Sequence, residues 1–209
     1  MHTELTDVWY ACYGSNICED RFLCYINGGT PAGAKKHFKG CEDRTKPKDS
    51  RAFTIPHEVY FAKESATWDG GGICFLNPEK SNKQSLGRVY QIGVSQFKDL
   101  VRQELIFEGV IEIDFEALRK NGSYNCLPNG RYGELLYLGE LEGKPVISFT
   151  SPLYLSEEIN APSAAYLKTI AKGLQEIYDI DKEGLIEYFS ELEGIKNTSA
   201  APKLSKILS

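Results

Sequence analysis

The sequence predicts an α+β domain with a small mixed or barrel-like sheet surrounded by helices. Three observations predict it. Aromatic and β-branched stretches are interrupted by single amphipathic segments, two alternating runs flank Glu142-Gly143-Lys144, and two segments of helical period follow one another after Pro162. At 209 residues the chain is long enough for one substantial core, so residues 1–196 are read as one domain and residues 197–209 as a flexible C-terminal tail. Period alone leaves open whether the sheet closes into a barrel.

The elements follow in order. Val8-Trp9-Tyr10-Ala11-Cys12-Tyr13 reads as a buried strand ending at Gly14. Asn16 with Glu19 three positions later has the form of a capping box, Phe22, Leu23 and Ile26 supply the apolar stripe of a helix, and Asn27-Gly28-Gly29 stops it. Thr30 to Ser50 shows no period and is read as loop. Strands are expected over Ala52–Ala62, over Ile73–Leu76 after Asp69-Gly70-Gly71-Gly72, and over Leu86–Ile92. Ser95 is placed to cap a helix running to about Ile106, and Glu108 to Gly130 is less regular. Leu135–Leu141 and Pro145–Thr150 form a hairpin, and helices follow Pro162-Ser163 and Asp181.

Composition narrows the function classes. A net charge of −5 argues against broad nucleic-acid binding, which requires many cationic side chains against phosphates. From Lys35 to Arg51 seven basic residues stand against three acidic ones, which reads as a solvated loop or, alternatively, a contact surface for an anionic substrate. No apolar run approaches a bilayer span, and Met1 to Asp7 lacks the pattern of a secretory signal, so a cytoplasmic location without membrane partners is expected. The six cysteines are then reduced thiols. They include no C-x-x-C pair, and His2, His37 and His57 are scattered, so a zinc site is not expected.

Two features carry chemistry. In the helix after Ser95, Phe97, Leu100, Val101 and Leu105 mark the inward face, and Glu104 lies on that face. A carboxylate there is either paired with an arginine or held at a raised pKa suited to general acid–base work. The turn Tyr13-Gly14-Ser15-Asn16 between strand and helix either serves the backbone alone or presents N–H donors to a carboxylate or oxyanion. Gly70-Gly71-Gly72 is not a phosphate loop, because no Gly-Lys-Ser/Thr follows and the segment enters a strand. A Cys12 nucleophile with His57 as base is disfavoured, since a cysteine buried in a strand is inert.

Taken in order, these residues resemble the gamma-glutamyl cyclotransferase-like family. The match comprises Tyr13-Gly14-Ser15-Asn16, Arg21 five positions on, Trp68-Asp69-Gly70-Gly71 before a strand, Gly87 and Tyr90 within a strand, and Gln103-Glu104. Glu104 stands 17 positions after Gly87, and Pro162-Ser163-x-x-Tyr166 with Ile170 and Gly173 resembles the family's last helix entry. The resemblance covers Val8 to Gly173. It implies a compact α+β domain around a small barrel, with a pocket beside the Tyr13–Asn16 loop.

The resemblance also implies an activity, with a non-catalytic small-molecule binding module on the same fold, or related acyl chemistry on a different amide, as the alternatives. A gamma-glutamyl compound would bind against Cys12, Tyr13, Gly14, Ser15 and Asn16, with Tyr132 and Tyr166 lining the pocket. Glu104 would act as general acid and base while the substrate's α-amine attacks its own side-chain amide, releasing 5-oxoproline and an amine without a cofactor. A homodimer is implied by the family alone. The sequence departs from the family pattern at Leu105, where glycine is usual, in a longer connection between Glu104 and Tyr132, and in the basic stretch from Lys35 to Arg51.

Overall fold

The structure of the protein is a computed structural model that describes residues 5–31, 37–79, 82–128 and 130–209. Strand β1 (Asp7–Cys12) is buried throughout, as its aromatic sequence demands, and lies inside a six-stranded sheet of order β2-β5-β1-β8-β7-β6. The other members are β2 (Asp49–Ile55), β5 (Ser85–Gly93), β6 (Ser123–Asn125), β7 (Glu134–Leu141) and β8 (Lys144–Thr150). β1 runs antiparallel to β5 and parallel to β8, with Trp9 opposite Val146 and Tyr10 opposite Ile147. A separate antiparallel ribbon joins β3 (Val59–Ala62) to β4 (Ile73–Leu76).

The expected barrel does not close: among the described residues the end strands β2 and β6 do not pair, and the ribbon shares no ladder with the main sheet. Buried hydroxyls make the connection instead. Ser85 Oγ accepts from the Val59 N–H at 2.9 Å, while Thr150 Oγ1 accepts from the Leu76 N–H at 3.0 Å and donates to the Leu76 carbonyl at 2.7 Å. The expected strand region Ala52–Ala62 is broken at Pro56, and its halves enter different sheets.

Helix α1 (Glu19–Asn27) follows a 3-10 turn at Ser15–Ile17, and α2 (Val94–Leu105) follows β5 directly. The sequence places both caps wrongly. Asn16 lies within the turn and its Nδ2 donates to the Tyr10 hydroxyl, while the Glu19 N–H at the head of α1 donates to Glu176 Oε2 at 2.9 Å. α2 begins at Val94, and Gln96 reaches back to accept from the Gly93 N–H, so Ser95 is not the cap.

The stretch expected to be irregular contains α3 (Phe115–Asn121), capped by Asp114, and the short strand β6. α4 (Ala164–Ile177) and α5 (Lys182–Ser190) are capped by Ser163 and Asp181, in accord with the sequence. From Asn197, where the sequence predicts a loose tail, the chain makes a 3-10 turn and α6 (Leu204–Ile207), and Leu204 is buried. No helix among the described residues is long and apolar enough to cross a membrane.

The core that positions the site is aromatic. Tyr10 packs between Phe22 of α1 and Phe149 of β8, and Phe22 stacks on Tyr90 with centroids 3.9 Å apart. Each such ring contributes roughly 2–3 kcal/mol through burial. α4 crosses the Ser15–Ile17 turn at Gly173, where a Cβ would lie 2.2 Å from the Cys18 nitrogen, so only glycine permits the contact. On the other side of that turn, buried Arg88 donates to the Ile17 carbonyl, Glu176, Glu19 and Ser50. These contacts fix the turn between β1, β5 and α4.

Candidate active site

One cavity of about 550 Å³ opens where the Tyr13–Asn16 turn, the end of α2, β4, α4 and the segment before β7 meet. Tyr13, Gly14, Ser15, Asn16, Glu104, Tyr132 and Tyr166 all line it, so residues distant in sequence come together. Cys12 does not. It is the strand partner of Arg88, donates its Sγ hydrogen to the Arg88 carbonyl at 3.3 Å, and is pushed up in pKa by burial, which leaves an inert thiol. His57 lies elsewhere, with Nδ1 2.8 Å from the Asn77 carbonyl oxygen.

Two tyrosines hold the wall opposite the turn. The Tyr132 hydroxyl donates to the Cys74 carbonyl at 3.0 Å, and the Tyr166 oxygen accepts from the Cys74 N–H at 3.2 Å. Both backbone groups of one β4 residue are therefore tied to the pocket lining. Tyr13 donates to the Phe149 carbonyl at 2.7 Å. Gly14 fits against Tyr166 because it lacks a Cβ. Its carbonyl accepts from the Ile17 N–H at 3.0 Å, which leaves the N–H groups of Ser15 and Asn16 at the head of the turn without an intramolecular acceptor among the described residues.

Glu104 is half-buried at the C-terminal end of α2, and no described cation forms an ion pair with it. The pairing with arginine that its position allowed is absent among the described residues. Tyrosines surround it instead. Burial first, and then the Glu104 carboxylate, raise the pKa of the Tyr25 phenol, whose hydroxyl interacts with that carboxylate. Tyr10 and Tyr132 are also raised, chiefly by burial and in part by the Glu104 charge, so these phenols stay protonated. Neighbouring Gln103 fixes the helix end, donating to the Tyr25 carbonyl at 3.0 Å and accepting from the Gly40 N–H at 3.3 Å.

The chain continues from α2 into the connection that leads to Tyr132 through Ile106, which takes a left-handed conformation at φ 52°. Leu105, Ile106 and Arg131 line the cavity, so both ends of that connection shape its mouth. The basic stretch is largely committed elsewhere. Lys48 pairs with Asp7, Arg51 pairs with Asp49 and Glu142, and Arg44 donates to backbone carbonyls, while Lys35 and Lys36 lie outside the described residues.

Sequence reasoning missed several lining residues: Tyr10, Tyr25, Trp68 and, as a pocket group, Arg21. Trp68 had a signal in the Trp-Asp-Gly-Gly turn, where Asp69 and Gly70 adopt positive φ and bring the indole to 4.7 Å from the Tyr166 ring. Tyr25 and Tyr10 gave none, since an aromatic on a helix or strand face reads equally well as core.

Comparison with solved structures decides the fold. A gamma-glutamyl cyclotransferase superposes over 96% of this chain and 98% of its own, with a TM-score of 0.50 and 18% identity. This chain has the gamma-glutamyl cyclotransferase fold. A human protein described as uncharacterized superposes equally well, with a TM-score of 0.50, 18% identity, and coverage of 96% of this chain and 98% of its own. No family model matches the sequence. Among curated proteins, histone deacetylase 5 of Arabidopsis thaliana is 34% identical over 201 residues, covering 88% of this chain and 30% of that protein. The chain thus spans less than a third of the curated relative it matches.

Proposed function

We propose that the protein cyclises a gamma-glutamyl amine, amide or peptide. The observation that carries this reading is the presence of the half-buried, unpaired Glu104 carboxylate in the same cavity as the Ser15 and Asn16 N–H groups. The substrate's α-amine loses a proton to Glu104 and attacks the γ-carbonyl carbon, forming the new N–C bond of a five-membered ring. The oxygen that becomes negative is met by the N–H donors of the turn. The C–N bond to the leaving amine then breaks, and Glu104 returns the proton to that nitrogen. The products are 5-oxoproline and the free amine.

Support comes from the protonated phenols around Glu104. The Tyr25 hydroxyl is a neutral donor that holds the carboxylate in place without neutralising it, while the Tyr132 proton is committed to the Cys74 carbonyl. The test is 5-oxoproline release from a panel of gamma-glutamyl amines and dipeptides by the wild type and by Glu104→Gln, which keeps shape and removes the base. Release by the wild type with at least a hundredfold loss in the variant is expected. Turnover that survives the substitution would show Glu104 is not the base. Because the matching Arabidopsis protein is named a histone deacetylase, an acetyl-lysine peptide belongs in the panel. Acetate release in place of 5-oxoproline would overturn the reading.

A further inference from the structure

We infer that Arg21 is the carboxylate anchor of this cavity, and that the ligand must carry a carboxylate next to the group brought to Glu104. Arg21 lines the cavity yet is only 7% exposed. Its Nε donates to Ser15 Oγ at 2.7 Å, tying it to the turn whose N–H groups are free. Its Nη1 is buried with no hydrogen-bond partner. The guanidinium carbon sits 5.0 Å from the centroid of the Trp68 ring and 5.4 Å from that of Phe38.

A buried cation of this kind demands an anion. Aromatic rings attract the charge, but they do not provide the oxygen acceptors that guanidinium N–H groups take. Among the described residues no carboxylate forms an ion pair with Arg21. Arg88 shows how this protein treats a buried arginine that only supports the fold, because two glutamates, Glu19 and Glu176, pair with it. Arg21 has the burial of Arg88 without the acids, and it faces the cavity instead of the sheet.

The missing anion is a ligand carboxylate. Arg21 and the Ser15 hydroxyl would bind it, leaving the N–H groups of the turn to the developing oxyanion and Glu104 to the α-amine beside the carboxylate. Resting on the cyclisation reading, this identifies the α-carboxylate of the gamma-glutamyl unit as the recognised group. Arg21 then sets specificity: a compound whose α-carboxylate is replaced by a carboxamide leaves the guanidinium unpaired and is rejected.

The first experiment uses wild-type protein, so folding of a variant is not at issue. Binding of 5-oxoproline and of its carboxamide is measured by calorimetry, alongside glutamate and glutarate, independently of turnover. The carboxylate is expected to bind about 10- to 100-fold more tightly than the carboxamide, the range for a lost charged hydrogen bond. Arg21→Met and Arg21→Lys are then compared with thermal unfolding recorded beside them. Discrimination should collapse in the first variant and survive in part in the second, which keeps the charge but loses the fork.

Equal binding of carboxylate and carboxamide by the wild type would overturn the inference, as would failure to bind any carboxylate in the set. Undiminished discrimination in folded Arg21→Met would overturn it as well. Arg21-dependent binding of glutamate or glutarate without 5-oxoproline release from any gamma-glutamyl compound would uphold the anchor and remove the cyclisation reading. The two conclusions therefore fail separately.

Discussion

A methyl group on Gly14 would lie 2.8 Å from the Tyr166 hydroxyl oxygen and 3.3 Å from the Cys74 Cβ, so Gly14 and Tyr166 share space that admits one of them at full size. The backbone at Gly14 is at φ −118°, which any residue can adopt, and the constraint is therefore contact rather than conformation. Gly14→Ala is expected to cost about 1–3 kcal/mol of stability through overpacking. Adding Tyr166→Phe removes the oxygen that is struck and should recover part of the loss, although it also deprives the Cys74 N–H of its acceptor. Denaturant unfolding of the two single variants and the double variant would measure the coupling. Strict additivity would show that the two side chains do not compete.

Ile106 carries the opposite prediction. It is a β-branched residue in the left-handed region, with 81% of its surface exposed, so it contributes strain and little burial. A left-handed L-residue costs roughly 1–2 kcal/mol, against roughly 0.5–1 kcal/mol for the added freedom of glycine in the unfolded chain. Ile106→Gly should therefore stabilise the fold by about 0.5–1 kcal/mol, read as a higher denaturation midpoint at unchanged slope. Destabilisation would mean that the side chain makes contacts at the cavity mouth worth more than the strain.

Thr150 tests how the ribbon is attached to the main sheet. Its hydroxyl serves both the N–H and the carbonyl of Leu76, and no part of the side chain reaches solvent. Thr150→Val preserves volume and strands two buried backbone groups, each worth roughly 1–3 kcal/mol when unsatisfied. A loss of about 2–4 kcal/mol by equilibrium unfolding is expected. A change below about 0.5 kcal/mol would mean that water or a shifted strand replaces the hydroxyl.

The pH dependence follows from the buried thiols. Burial pushes Cys74 from an ordinary value of 9.0 to about 12, and burial with the nearby Asp99 and Asp43 pushes Cys41 to about 12 as well. Each folded thiol holds its proton where the unfolded one releases it, so the unfolded state binds fewer protons between pH 9 and 12. Stability from these groups is fully present below pH 9 and falls above it by roughly 1.4 kcal/mol per pH unit for each group. Unfolding measured from pH 7 to 11 should be insensitive to them at first and then decline, and Cys74→Ala should reduce that slope. An unchanged slope would remove Cys74 as a contributor.

The sequence by itself determined the elements whose signal is local. The buried strand at Val8–Cys12, the helix bearing Glu104, the hairpin around Glu142-Gly143-Lys144, and the caps at Ser163 and Asp181 could all be read from period and residue type. The ordered motifs also pointed to the fold. The cap at Asn16 misled because another oxygen won the same donor, Glu176 of α4 taking the N–H of Glu19, and that at Ser95 because the helix already starts at Val94, with Gln96 accepting from the Gly93 N–H. α3 was hidden because seven residues give too few turns to show a period.

Only the tertiary structure decided that Glu104 has tyrosines rather than an arginine for company, that Cys12 turns toward Arg88, and that the sheet is joined to the ribbon by Ser85 and Thr150 instead of closing. The same holds for Arg21 and Arg88, whose residue type is the same in the sequence. One is ringed by glutamates, and the other is left with aromatic rings and a cavity. Local spacing fixes which way a side chain leaves its own helix or strand, but the groups it meets come from segments far away in the chain. Those meetings decide which charges are paired and which are left for a ligand.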